Sequence, residues 1–308
     1  MFRICILCAA VAVLSAVPLS AFEVSFAFDT GLITGTTCEY VYEGDKCISR
    51  LDWQDRAVPM LSFSGRAVLS GTFLQLGITS AVPVQSGVME DYDFLVAGSD
   101  EPSLYSKHNA YLDKYFDSSV ALGYDLRISA WRLTPSAGFA YRNRKWTAQD
   151  GFLQYPESDL WTGEEPKDAV YGPVISYEQA VLFLFASLEA GYVVKERFLF
   201  SVAGSLYPAM RGDTIDNHLL RDMQFYDTMR EGFGYSMNIG LRYNFGGKKR
   251  VALTVRAGYE KMDLKGNTAM RETGISDGKL TVTEGYGSRM ENGQWTVALG
   301  FTCRFDAE

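Results

Sequence analysis

Histidine is nearly missing from this chain. His108 and His218 are the only two among 308 residues, so proton transfer near neutrality has to be sought around one of them. A basic excess is missing too. Lys and Arg number 29 against 37 Asp and Glu, a formal charge of −8, which argues against nucleic-acid binding and for cationic partners. Beyond the N-terminal leader no apolar run reaches about 18 residues, which excludes transmembrane helices there. No serine or cysteine carries the local signature of an activated nucleophile. A closed zinc set is also missing: His218 has carboxylates nearby but no cysteine. Glu90, Asp91 and Asp93 lack the further ligands and glycine turn of a calcium loop.

The leader itself is well marked. Arg3, the apolar stretch from Ile4 to Val17, and Leu19-Ser20-Ala21 predict a signal peptide over residues 1–21, cleaved after Ala21. Its apolar run is too short for a spanning helix. Removal takes away one charged residue, Arg3, so −8 becomes −9 in the exported chain. Cys5 and Cys8 leave with it. Cys38 and Cys47 flank a turn, and an exported protein permits a disulfide. The turn chemistry at Gly44-Asp45 does not centre that pair, so the sequence leaves the bond open. Cys303 reads as a small hydrophobe.

What remains is rich in aromatics and glycine, with 18 Phe, 18 Tyr and 29 Gly once Phe2 has left with the leader, the composition of an outer-membrane barrel. Alternation agrees. Tyr235, Met237, Ile239, Leu241, Tyr243 and Phe245 share one face; Ser236, Asn238, Gly240, Arg242 and Asn244 share the other. The same pattern recurs at 251–259 and 294–305, with arginines on the polar face. A water-soluble core would bury those guanidinium groups unpaired. The expectation is all-β: a ten-stranded antiparallel transmembrane β-barrel, one unit over 22–308. Strands are predicted near 22–43, 47–69, 72–85, 115–131, 135–148, 173–194, 197–212, 233–245, 249–264 and 291–305. Tight turns, including Trp131–Pro135 and Gly246–Lys249, would face the periplasm. Long extracellular loops would run over 86–114, 149–172, 213–232 and 265–290.

Two spaced pairs carry the chemistry. Asp216 and His218 lie two residues apart, as do Asp91 and Asp93, so in extended backbone each pair shares a face. Both begin in long loops on the same rim. A histidine fixed by a carboxylate can take a proton from water, and an acidic pair nearby would raise its pKa and help hold that water. The competing reading is a solvated loop tip at Asp216-Asn217-His218, which spacing alone favours. His108 has no acidic neighbour in sequence and reads as a surface residue.

Five stretches resemble one family. They are Glu39-Tyr40-Val41-Tyr42, Ser49-Arg50-Leu51-Asp52-Trp53-Gln54, Val88-Met89-Glu90-Asp91-Tyr92-Asp93, Asp216-Asn217-His218 and Lys265-Gly266-Asn267-Thr268, spread over nearly the whole mature chain. In this order they resemble the omptins, outer-membrane endopeptidases on a ten-stranded barrel. The resemblance implies an aspartic-type endopeptidase in the cell outer membrane, its active site facing outside. Asp91, Asp93, Asp216 and His218 would activate water for hydrolysis of peptides or proteins, with no metal or other cofactor. It implies substrate binding through Glu39, and a cut beside basic residues. The family's second acid falls at Thr214, with Asp213 one residue off, and the acid used beyond the cut falls near Leu104. Acids in the loop at 149–172 would steer cationic substrates. Lipopolysaccharide dependence is implied through Tyr141 and Lys145 on the outer wall, although Asn143 replaces an acid there and Ala180 a basic residue. The alternatives are a surface adhesin on the same barrel, favoured by the changes at Thr214 and Leu104, and, last, a diffusion pore plugged by lumenal arginines.

Overall fold

The computed structural model describes residues 22–156, 160–245, 250–273 and 280–306. The predicted leader, the turn at 246–249 and the end of the C-terminal tail lie outside the described residues. The rest is all-β. In chain order the strands are β1 (Phe22–Glu43), β2 (Lys46–Leu69), β3 (Thr72–Ala81), β4 (Val84–Asp93), β5 (Leu104–Tyr124) and β6 (Leu126–Ile128). They continue as β7 (Trp131–Gln154), β8 (Asp168–Val194), β9 (Phe198–His218), β10 (Met223–Phe245), β11 (Val251–Thr273) and β12 (Leu280–Asp306).

These segments close into one antiparallel ring. β1 pairs with both β2 and β12, and the additional β3–β2 and β5–β7 pairings complete the circuit. Closure removes the free edges that an open sheet would present. Twelve segments make ten staves, because β3 and β4 are one strand interrupted at Val82-Pro83, and β5 and β6 one strand interrupted at Asp125. Pro83 has no amide hydrogen for the ladder. Asp125 turns its carboxylate to Arg66 and Thr134.

The predicted faces hold. Met237, Ile239, Trp295, Val297 and Leu299 point outward and are at least half exposed, a lipid-facing belt that ends near Leu32 on β1 and Leu206 on β9. The loop at 149–172 holds in part, between the end of β7 at Gln154 and the start of β8 at Asp168, but two other predicted loops do not. β4 and β5 run through most of 86–114, and β9 and β10 leave only a short turn of the interval 213–232. The turn placed at Trp131–Pro135 is instead strand, paired across to Leu126–Ile128. Polar residues misled the reading, since above the belt both faces of a strand meet water or a polar lumen. The staves therefore continue past the membrane. Glu39 lies seven residues beyond Leu32, roughly 24 Å along its strand.

The lumen is packed rather than open. Arg142 donates from Nε and Nη2 to Asp117 (3.0 and 2.9 Å) and from Nη1 to Glu260 (2.5 Å), while Arg256 pairs with Asp29. Gly300 makes room for that second pair, since a Cβ there would collide with the Asp29 carboxylate. Arg144, fully buried, donates to Tyr115 and Gln294. These bonds argue against a diffusion pore. Arg142→Met should lower the unfolding free energy of the detergent-refolded barrel by about 3–5 kcal/mol, because two nearly buried carboxylates lose their partner. Adding Asp117→Asn and Glu260→Gln should recover part of it. A urea midpoint equal to the parent's would refute the account.

Candidate active site

Above the arginines lies an aromatic floor. Trp53, Trp146 and Tyr177 are fully buried, with ring centroids 6.0 to 6.2 Å apart, and Trp146 Nε1 donates to Asp55 (3.0 Å). Over that floor the staves bring together the polar residues singled out in the sequence. β4 delivers Asp91 and Asp93 at its end, β9 delivers Asp216 and His218 at its end, and β1 delivers Glu39. β4 and β9 are separated by β5, β7 and β8 on one side and by β2, β1, β12, β11 and β10 on the other, so the two pairs face each other across the lumen. All stand beyond the membrane belt. They are on strand ends, not in loops, so hydrogen-bonded ladders fix their direction: Asp91 against Leu51, Asp93 against Ser49 and Leu104, Asp216 against Tyr177 and Phe225.

Asp216 and His218 meet. The His218 Nε2 is 2.7 Å from Asp216 Oδ2, and the imidazole packs edge-on to Phe225 at 5.3 Å. Burial works against a charged imidazole here, yet the charge and hydrogen bond of Asp216, with Asp91 behind them, more than offset it and raise the His218 pKa. Asp91 is pushed up to about 8, first by burial, then by the charge of Asp93, against the relief that His218 gives. Burial raises Asp93 as well, moderated by Arg221 and His218. Asp91 and His218 are thus felt by each other across the lumen.

Glu39 is 1% exposed and held well above the usual carboxylate range by burial and by Asp216, Asp227 and Asp91. Thr214 also faces inward, buried, and donates to Asp227 Oδ2 at 2.6 Å. Asp213 does not. The pleat turns it to the outer wall, where it pairs with Arg211 (3.3 Å) and Arg230 (3.0 Å), so its predicted part in substrate binding fails. His108 is likewise not a surface residue: it is buried between the Ser106 hydroxyl (3.0 Å) and the Asp150 carbonyl (2.7 Å). Cys38 and Cys47 are free. Cys47 pairs with Tyr42, four residues from Cys38 and roughly 13 Å along the strand, beyond disulfide reach. On the outer wall Tyr141 is exposed, while Lys145 lies opposite Glu178, whose carboxylate accepts from Asn143.

Two residues passed over in the sequence belong to this region. Asp227 on β10 is buried opposite Thr214, its pKa raised to about 6 by burial, against the relief that the Thr214 hydrogen bond gives. Arg221, in the turn between β9 and β10, is tied to the Tyr155 hydroxyl (3.0 Å), and its charge bears on Asp91 and Asp93. Asp227 lies inside an interval read as loop, where alternation could not be applied. Arg221 could have been found by its place three residues after His218.

A model described as the Omptin family matches residues 20–305. Among solved structures, the outer membrane protease OmpT from Escherichia coli is similar with a TM-score of 0.80 at 16% identity, over 92% of this chain and 97% of that one. The translocator domain of the autotransporter NalP from Neisseria meningitidis aligns with a TM-score of only 0.38 at 10% identity, over 96% of this chain and 93% of that one. No curated protein matches the chain.

Proposed function

The chain belongs to the omptin family, outer-membrane proteases, and from that premise we propose that it is a surface endopeptidase whose water is activated by His218. The observation that carries the reading is the 2.7 Å contact between His218 Nε2 and buried Asp216, facing Asp91 and Asp93 across the lumen. With Nε2–H donated to Asp216, Nδ1 is left to take a proton from water. The carboxylate fixes the tautomer and stabilises the imidazolium that forms. Two acids crowded in a half-buried place retain a proton between them, in keeping with the raised values of Asp91 and Asp93. That proton can be offered to the carbonyl oxygen of the scissile bond while the ionised oxygens hold the water. The tetrahedral intermediate then collapses with the imidazolium protonating the leaving amine.

The substrate is a peptide or protein reaching the outer face, cut next to a basic residue. Glu39 supports this preference, since it stands buried among acids and no described lysine or arginine pairs with it. The test uses the refolded barrel and quenched arginine-containing peptides, comparing the parent with His218→Ala and Asp91→Ala. Equal cleavage by all three would reject hydrolysis at this site. Binding of protein without turnover would move the reading to an adhesin.

Lipopolysaccharide is the proposed lipid partner, on the wall carrying Tyr141 and Lys145. Adding it to the refolded barrel should raise the cleavage rate several-fold, and Lys145→Ala should blunt that response by removing a cation near the lipid surface, a contribution of about 1 kcal/mol. A rate indifferent to the lipid would remove this part of the proposal.

A further inference from the structure

Deeper in the lumen the buried acids have cations: Asp117 and Glu260 share Arg142, and Asp29 has Arg256. Above the aromatic floor the pattern changes. Glu39 Oε2, Asp216 Oδ1 and Asp227 Oδ1 are buried and accept no hydrogen bond from the protein. No described lysine or arginine pairs with Glu39, Asp216 or Asp227. Such groups are costly to bury unless something cationic completes them.

Asp227 is the one of these three acids for which neither the dyad nor the sequence motifs give a role. One of its oxygens is pinned by Thr214 at 2.6 Å, and Thr268 flanks it from the other side. The second oxygen is the unpartnered one. Its charge reaches both Glu39 and the Tyr177 hydroxyl, and that hydroxyl is also reached by Glu39 and Asp216. Tyr177 thus lies among the three carboxylates, at the floor.

We propose that Asp227, with Glu39, forms the receptor for the guanidinium or ammonium group of the residue before the cut, with Thr214 as the positioning residue that aims Asp227. The inference rests on the hydrolytic reading above and deepens it. β10 supplies from the neighbouring stave a carboxylate that β9 does not carry at position 214, so the grip on a basic side chain is moved and not lost. Two carboxylates flanking a phenol suit the planar, multiply donating guanidinium better than the compact ammonium. Arginine is therefore preferred to lysine. When the cation enters, the acids must be ionised, so binding at about pH 6, near the Asp227 value, releases protons.

The experiment compares matched peptides with arginine, lysine or citrulline before the cut, on the full refolded chain. Asp227→Asn should reduce the arginine-to-citrulline ratio of kcat/KM by about 100-fold, the scale of truncating one partner of a buried charge pair. Thr214→Val should move the ratio the same way by about 10-fold, and Thr214→Ser should restore it. His218→Ala should lower turnover of every peptide alike, leaving the arginine-to-citrulline ratio in place, so loss of chemistry and loss of the pocket are told apart. Benzamidine binding by calorimetry, in a His218→Ala background, gives a readout free of turnover: Asp227→Asn should weaken it by about 100-fold and reduce the protons released. An unchanged ratio, or benzamidine held equally well by Asp227→Asn, overturns the assignment. Benzamidine binding that depends on Asp227 in a chain that cleaves nothing keeps the pocket and removes the hydrolytic reading.

Discussion

Replacing His218 with alanine is expected to lower kcat/KM for an arginine-containing peptide by about 10³–10⁴-fold, with KM little changed. The side chain is the one group in the site that can both accept a proton from water near neutrality and return it to an amine. Its partner fixes how it does so. Asp216 is 2% exposed and holds Nε2 at 2.7 Å, so Asp216→Asn keeps the shape but loses the charge that selects the tautomer and supports the imidazolium. That change should cost about 10²–10⁴-fold. The two act as a unit, so the double variant should be no worse than His218→Ala alone. Circular dichroism and resistance to unfolding in detergent should match the parent, because the pair lies beyond the belt and outside the packed arginine layer. Additive losses would mean that Asp216 works through something other than His218. Cleavage at the parental rate would end the assignment.

How far the chain could be read without coordinates depends on where alternation is reliable. In the belt, lipid on one side and polar lumen on the other force a strict period of two, and Tyr235–Phe245 is legible residue by residue. Above the belt that contrast fades, and 86–114 reads as loop although β4 and β5 run through it. Bulges add a second difficulty. On β10 the outward residues are odd-numbered from Phe233 to Phe245, but the register shifts between Met229 and Glu231 and the parity reverses. Extending the pattern upward would turn Asp227 outward, whereas it is buried in the lumen. A similar reversal occurs on β9 near Pro208, where the register with β8 slips between Leu184 and Ala186. The catalytic candidates escaped this problem because each pair carries its own two-residue spacing, which needs no reference to the belt. Thr214 shares a face with Asp216 for the same reason, and Asp213 cannot.

Asp91→Asn is the second large effect, and its pH dependence is the sharper test. Asp91 stands half-buried beside Asp93, one carboxylate oxygen shut off from solvent, and its pKa is raised to about 8, so the pair keeps a proton through neutrality and gives it up above that value. His218, raised by Asp216 and Asp91, must be neutral to act as base, so kcat/KM rises as pH climbs through a value above the ordinary histidine pKa. It then falls above about pH 8 as the shared proton leaves. The asparagine variant should lose about 10²–10³-fold at the optimum. Its alkaline limb should flatten, because no shared proton is left to be lost near pH 8. Stability should move the other way. A carboxyl whose folded pKa lies above its unfolded one contributes stability below the unfolded value and loses it as pH rises through the folded value. The parent barrel should therefore weaken toward pH 9 in urea titrations, and Asp91→Asn should weaken less. A variant nearly inactive yet firmer than its parent at alkaline pH is the signature of an acid kept buried for chemistry at a cost to the fold. A pH profile unchanged by Asp91→Asn, or a parental barrel no less stable at pH 9 than at pH 6, would show that the proton is not held there.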